Sequence, residues 1–204
     1  TDAFTVSGST ITFASNLVTG DVIDFIQILG NVLDLGVPSD GTVTPAKLSG
    51  VTEGIKEADM WRLSASISSD VNPISSNLER VDDASFGYIG TGMSVASGTW
   101  TFPTTGLYYV SVKSRIKAPD DNVSVFILGT IDNSTYNTLV STIASAITGN
   151  FLNDAIGSTY INVTNTSNVK VRFQISSITG DSYVGGSSSD NQTTFTFIRL
   201  GDSQ

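Results

Sequence analysis

From residue 59 onward the chain is dominated by apolar and polar side chains that alternate with period two. In "NVKVRFQIS", Val169, Val171, Phe173 and Ile175 alternate with Lys170, Arg172 and Gln174, which predicts a strand with one buried and one wet face. "LYYVSVKSRI" sets Tyr108, Val110, Val112 and Ile116 against Lys113 and Arg115. "MWRLSASI" places Trp61, Leu63, Ala65 and Ile67 on one face, and "TTFTFIRL" does the same for Phe195, Phe197 and Arg199. "LERV", "FGYIG", "GTWTF", "NVSVFILGTI" and "STYINVTN" read as further strands. In "YNTLVSTIASAITGNFL", Leu139, Ile143 and Ile147 recur at a spacing of four that permits a helix, whereas the Val, Thr and Ile content favours a strand or irregular structure. About ten short strands without intervening helices predict an all-β, antiparallel sandwich or jelly roll.

Ahead of this series the pattern is shorter. "AFTVSGSTITF" predicts two strands around Ser7, Gly8 and Ser9. Gly20 and Asp21 read as a turn, and residues 22–29 as a third strand. Such a meander is too small to be stable alone. "PSDGTVTPAKLSGVTEGI" follows with turn residues and no sustained period. The predicted organisation is a β-module over 1–36, serving as shaft or docking piece, a connector over 37–58 and a β-sandwich head over 59–204.

Composition narrows the chemistry. Only 14% of residues are charged, 39% are hydrophobic and the net charge is −9, so the basic field that a nucleic-acid partner requires is missing. No apolar run approaches the roughly 20 residues needed to span a bilayer, so membrane insertion is not expected. The chain starts at Thr1 rather than Met, as a fragment or processed product would. Without His or Cys there is no histidine base, no Ser-His-Asp or Cys-His system and no His/Cys zinc site, so no catalytic residue is assigned.

What remains for an enzyme is a carboxylate pair, from Asp82 with Asp83, Asp120 with Asp121, Glu53 with Glu57, or Asp181 with Asp190. Adjacent Asp residues are more commonly solvated turn formers. The same loops, "APDDN" and "RVDDAS", could supply oxygens to Ca²⁺, although no cofactor is required and no metal ligand is assigned. Tyr136, Tyr160 and Tyr183 are candidates for stacking on sugars.

Two stretches carry a resemblance. "TWTFPTTGLYYV", through Trp100, Phe102, Gly106, Leu107, Tyr108, Tyr109 and Val110, together with the closing "FTFIRLGD", resembles the C1q and tumour-necrosis-factor (TNF) superfamily over residues 59–202. The gap from Phe102 to Gly106 is shorter than in most of that family, and Val110 stands where Phe is common. "FTVSGSTITF" followed by "GDVI", and then "DGTVTPAKL", resembles segments of tailed-phage fibres and tailspikes, marine cyanophage proteins among them.

These resemblances imply a C1q/TNF-like jelly roll that forms a homotrimer through Tyr108, Phe195 and Phe197. They imply a virion location, at the tail fibre or capsid surface, with other virion proteins as partners. They also imply attachment to a host-surface glycan or outer-membrane receptor through the loops 117–122 and 180–191, with Asp120, Asp121, Asn122, Tyr183 and Asp190 as contacts. The alternative is a capsid decoration or head-fibre protein. A fibre-borne glycan hydrolase is the remaining, enzymatic possibility.

Overall fold

The computed structural model describes residues 4–8, 10–22 and 54–204, and divides into two units, Thr1–Ser49 and Gly50–Gln204. In the first unit β1 (Phe4–Ser7) and β2 (Thr10–Phe13) pair antiparallel, with Phe4 opposite Phe13 and Val6 opposite Ile11. Gly8, at φ 59°, supplies the positive φ that a two-residue hairpin turn requires. The predicted turn at Gly20 and Asp21 is present: Asp21 N–H donates to Val18 O at 3.0 Å, and Val18 N–H to Asp21 Oδ2 at 2.8 Å. The third strand predicted for 22–29 lies, apart from Val22, outside the described residues.

The second unit is a sandwich of two antiparallel sheets. The first is ordered β6 (Ser94–Ala96), β7 (Thr99–Thr101), β12 (Lys170–Ser176), β9 (Val123–Thr130) and β10 (Asn137–Ala144). The second is built around β8 (Gly106–Lys117). One edge of β8 is paired along its whole length by β11 (Leu152–Val163). The other is paired first by β14 (Thr194–Gly201) and then by β13 (Tyr183–Ser187). β3 (Ala58–Leu63) and β5 (Leu78–Arg80) extend the sheet beyond β14, and β4 (Ala65–Ile67) flanks β13.

Period two decides what enters the core. Along β8 the odd-numbered side chains are half-buried and the even-numbered positions buried throughout. Val169, Val171, Phe173 and Ile175 are at most 2% exposed, as their alternation predicts. Trp100 on β7 lies at the centre. Its ring meets Trp61 edge-on at 5.1 Å and Phe173 at 6.0 Å, and lies 5.8 Å from Phe195 and 5.0 Å from Phe197 on the opposite sheet.

The reversal between β7 and β8, which contains Pro103, also has a physical basis. Tyr108 Oη donates to Thr104 O at 3.1 Å and lies 2.9 Å from Thr104 Oγ1, which ties the reversal to the core. Gly106, at φ 152°, runs so close to β14 that a Cβ would overlap the Arg199 side chain.

Some elements depart from the sequence pattern. "MWRLSASI" is two strands broken at Ser64, and Ala65 is exposed rather than inward. "FGYIG" contributes only an isolated bridge between Ile89 and Ala58. "STYINVTN" belongs to the longer β11, which already starts at Leu152. The ambiguous segment over 136–148 forms a strand, β10, whose residues Leu139 and Ile143 are exposed.

Candidate functional site

Tyr108, Phe195 and Phe197, predicted to meet neighbouring subunits, are instead at most 1% exposed within a single chain. Their parity points them into the sandwich, so they have no side-chain surface left to offer a second copy. Burial pushes the Tyr108 hydroxyl above its ordinary pKa. The opposite parity of the same strands faces outward and carries Tyr109, Thr196 and Ile198, each half-buried.

β11 completes this outer face. Leu152, Ile156 and Tyr160 recur at every fourth position with exposures of 49%, 68% and 65%. The register sets Tyr160 opposite Tyr109, with ring centroids 6.0 Å apart, and Ile156 opposite Lys113. Asp154 accepts a hydrogen bond from Arg115 Nε at 3.3 Å and lies 3.5 Å from Lys113 Nζ. These cations therefore have a partner in their own chain, and beside them the outer face carries Ile156, Tyr160, Tyr109 and Ile198 together with the hydroxyls of Ser111, Ser158 and Thr196.

The face continues around the sandwich edge where β11 meets β10. Gly157 lies so close to Thr142 and Val140 that a Cβ would overlap both side chains. Here Leu139, Tyr160 and Ile131 border an open groove of about 330 Å³ with Asn137 and Asn162. The turn beside it is fixed by Asp132, whose Oδ1 accepts from Thr130 Oγ1 at 2.7 Å, Ser134 N–H at 2.9 Å and Thr135 N–H at 2.8 Å.

Those hydrogen bonds, that of the Thr130 hydroxyl foremost, lower the Asp132 carboxyl from 3.8 to about 2. A depressed folded-state pKa means that the ordering contribution is complete above the unfolded value and is lost as pH falls through 2. An NMR titration is therefore expected to place the Asp132 midpoint near 2. Amide exchange at Ser134 and Thr135, corrected for its intrinsic pH dependence, should rise progressively as pH falls from 3.8 towards 2. A midpoint at the ordinary carboxylate value would refute this account of the turn.

The predicted receptor contacts lie at the end of the sandwich where β8 finishes. Asp120 Oδ2 accepts from Asp181 N–H at 3.4 Å, and Asp121 Oδ1 from Asn122 N–H at 2.7 Å. Asn122 Oδ1 accepts from Ala146 N–H at 2.9 Å, so the loops 118–122, 145–148 and 178–182 converge there. Tyr183 pairs with Lys117, whose Nζ lies 6.0 Å from the ring centre. Asp190 is exposed on a separate loop, and the Ser187 hydroxyl holds its carboxyl below the ordinary pKa.

The candidate carboxylate pairs take structural roles. Asp82 and Asp83 flank the Arg62 guanidinium, with Glu79 on Nε at 3.0 Å. Glu57 accepts from Thr91 and Gly92 N–H, while its proposed partner Glu53 lies outside the described residues. Among the described residues no group of three or more Asp and Glu side chains is arranged to hold a metal ion, and no helix is long and apolar enough to cross a membrane.

Sequence reasoning missed Ile156 and Ile198, and it named Tyr160 for sugar stacking and Tyr109 for the family resemblance without placing either on this outer face. The available signal was the spacing of Leu152, Ile156 and Tyr160, which share a parity against small residues.

No family model and no curated protein matches the chain. Among solved structures, Eiger TNF from S. frugiperda is similar with a TM-score of 0.56 at 14% identity, over 72% of this chain and 94% of that one. Murine APRIL at pH 5.0 gives 0.54 at 12% identity, and at pH 8.5 it gives 0.52 at 14%; each covers 71% of this chain and 98% of the other. At such identities the likeness is one of fold, and the fold of this chain is an all-β, antiparallel jelly roll of the TNF kind.

Proposed function

We propose that the chain is a non-enzymatic virion protein of a tailed phage, the distal head of a tail fibre, which trimerises and binds a host-surface carbohydrate or outer-membrane receptor. The observation that carries the assembly is the outer face of the second sheet, which exposes Ile156 and Tyr160 on a TNF-like jelly roll. A second copy of the same chain is the natural cover. It brings the same exposed Ile156 and Tyr160, and closed symmetry buries them without leaving open edges. The resemblance of "TWTFPTTGLYYV" and "FTFIRLGD" to the C1q and TNF superfamily supports a trimeric head. The phage assignment rests on "FTVSGSTITF" and "DGTVTPAKL".

Three copies would turn individually weak contacts at the loop end into avid attachment. Asp120, Asp121 and Asn122 would meet the ligand there, with Tyr183 beside them and Asp190 on its own loop.

Ile156→Asp is expected to convert a trimer into a monomer by light scattering at micromolar concentration, with the melting temperature of the isolated fold little changed. Gln174→Asp, on the outer face of the other sheet, should remain trimeric. A monomeric parent chain, or a trimeric Ile156→Asp variant, would refute this assembly. Labelling of intact particles should place the protein at tail tips. Label on the capsid would replace the fibre reading with that of a decoration protein.

A further inference from the structure

The register of the N-terminal hairpin separates its side chains completely by kind. Phe4 faces Phe13 and Val6 faces Ile11 on one side, while Thr5 faces Thr12 and Ser7 faces Thr10 on the other. Residues directly opposite one another in an antiparallel pair share a face. One face of this ribbon is therefore wholly apolar and the other wholly hydroxylated. The apolar face is open, with Phe4 51%, Val6 60% and Phe13 38% exposed.

Charge and size identify the cover. Residues 3–20 contain no charged side chain, in a protein of net charge −9. The ribbon has nothing with which to steer a charged partner, and nothing that repels a copy of itself. Four side chains bury far less than the roughly 1,200 Å² of a stable free-standing interface. Two hairpins meeting from solution would separate. Copies joined through their chains to one trimeric head experience an effective concentration in the millimolar range, at which a small apolar contact suffices.

We infer that the apolar faces of the hairpins from the three chains of one trimer pack against each other, with Phe4, Val6, Ile11 and Phe13 inside and the Thr and Ser faces in water. This inference rests on the trimeric reading of the head. The first unit then forms a second contact between chains, one that depends on the head for its local concentration. A hairpin of two strands is marginal in water, and this contact covers the exposed Phe4, Val6 and Phe13.

The chain has no cysteine, so a single introduced thiol reports one position. Val6→Cys and Thr5→Cys, prepared in the full chain, place that thiol on the apolar and the hydroxylated face. Under mild copper-catalysed oxidation, Val6→Cys is expected to form disulfide-linked pairs at least tenfold faster than Thr5→Cys. Adding Ile156→Asp should bring the Val6→Cys rate down to that of Thr5→Cys, because the head no longer gathers the hairpins. Equal rates in a chain that light scattering shows to be trimeric would overturn the hairpin contact and leave the trimeric head intact. A monomeric chain with equal rates would overturn both. Fast Val6→Cys linkage that persists in the Ile156→Asp background would overturn the dependence on the head.

Discussion

Trp100→Ala is expected to destabilise the jelly roll by about 3–5 kcal/mol, a large part of the stability of an ordinary domain. Trp100 is fully buried and touches Trp61 and Phe173 as well as Phe195 and Phe197 of the opposite sheet. Removing the indole leaves a cavity lined by rings from both layers, which are held by their strands and relax only partly. One effect opposes this loss. Trp100 Nε1 has no hydrogen-bond partner among the described residues, and an unsatisfied buried donor costs about 1–3 kcal/mol. Trp100→Phe removes that donor and retains most of the ring contacts, so its loss should be only about 1–2 kcal/mol. Urea unfolding of both variants measures the difference. A Trp100→Ala protein within about 1 kcal/mol of the parent would show that the two sheets do not depend on this residue.

Arg62→Ala ranks second, at about 3 kcal/mol. The guanidinium is 1% exposed and donates to Glu79, Asp82, Asp83 and the Ser188 carbonyl. The hydrogen bond with Glu79 and the neighbouring carboxylates raise its pKa above the ordinary value, against the opposing effect of burial. Removing it leaves three carboxylates facing one another and frees the loop that carries Asp190. The carboxylates are 32%, 70% and 41% exposed, so water relieves part of their repulsion and the loss stays at the lower end of that for a broken buried pair. Arg62→Lys should recover only part of the stability, because an ammonium cannot reach the same acceptors from a planar fork. Unfolding in low and high salt tests this: the difference between parent and Arg62→Ala should narrow as salt screens the exposed carboxylates. A difference independent of salt and below about 0.5 kcal/mol would remove the cluster from the account of stability.

Alternation in the sequence made β8 and β12 legible, because each has a polar outward face that contrasts with its core. It did not say what an apolar side chain packs against. Phe195 and Phe197 are equally compatible with a core and with a subunit contact, and only the partner layer containing Trp100 distinguishes them. Adjacent Tyr108 and Tyr109 show the same limit, since alternation separates them without choosing the inward one. The segment containing Leu139 and Ile143 was ambiguous because residues four apart share a face in a strand and lie close together on a helix. The break at Ser64 has no Gly or Pro to announce it; it follows from the strand passing from its pairing with β14 to its pairing with β13. The acidic turns were visible as clusters, but a buried arginine 20 residues earlier in the chain gives Asp82 its role.

β14 is the last strand in sequence, yet it sits between β3 and β8. Thr194 pairs with both Arg62 and Lys113, so the sheet joins segments more than a hundred residues apart. Such long-range pairing folds slowly, because the chain must be gathered before the contacts that reward it can form. During synthesis, the earlier strands wait with an open seam until residues 194–201 have left the ribosome. A nascent chain therefore has no finished outer face to present until this strand is released.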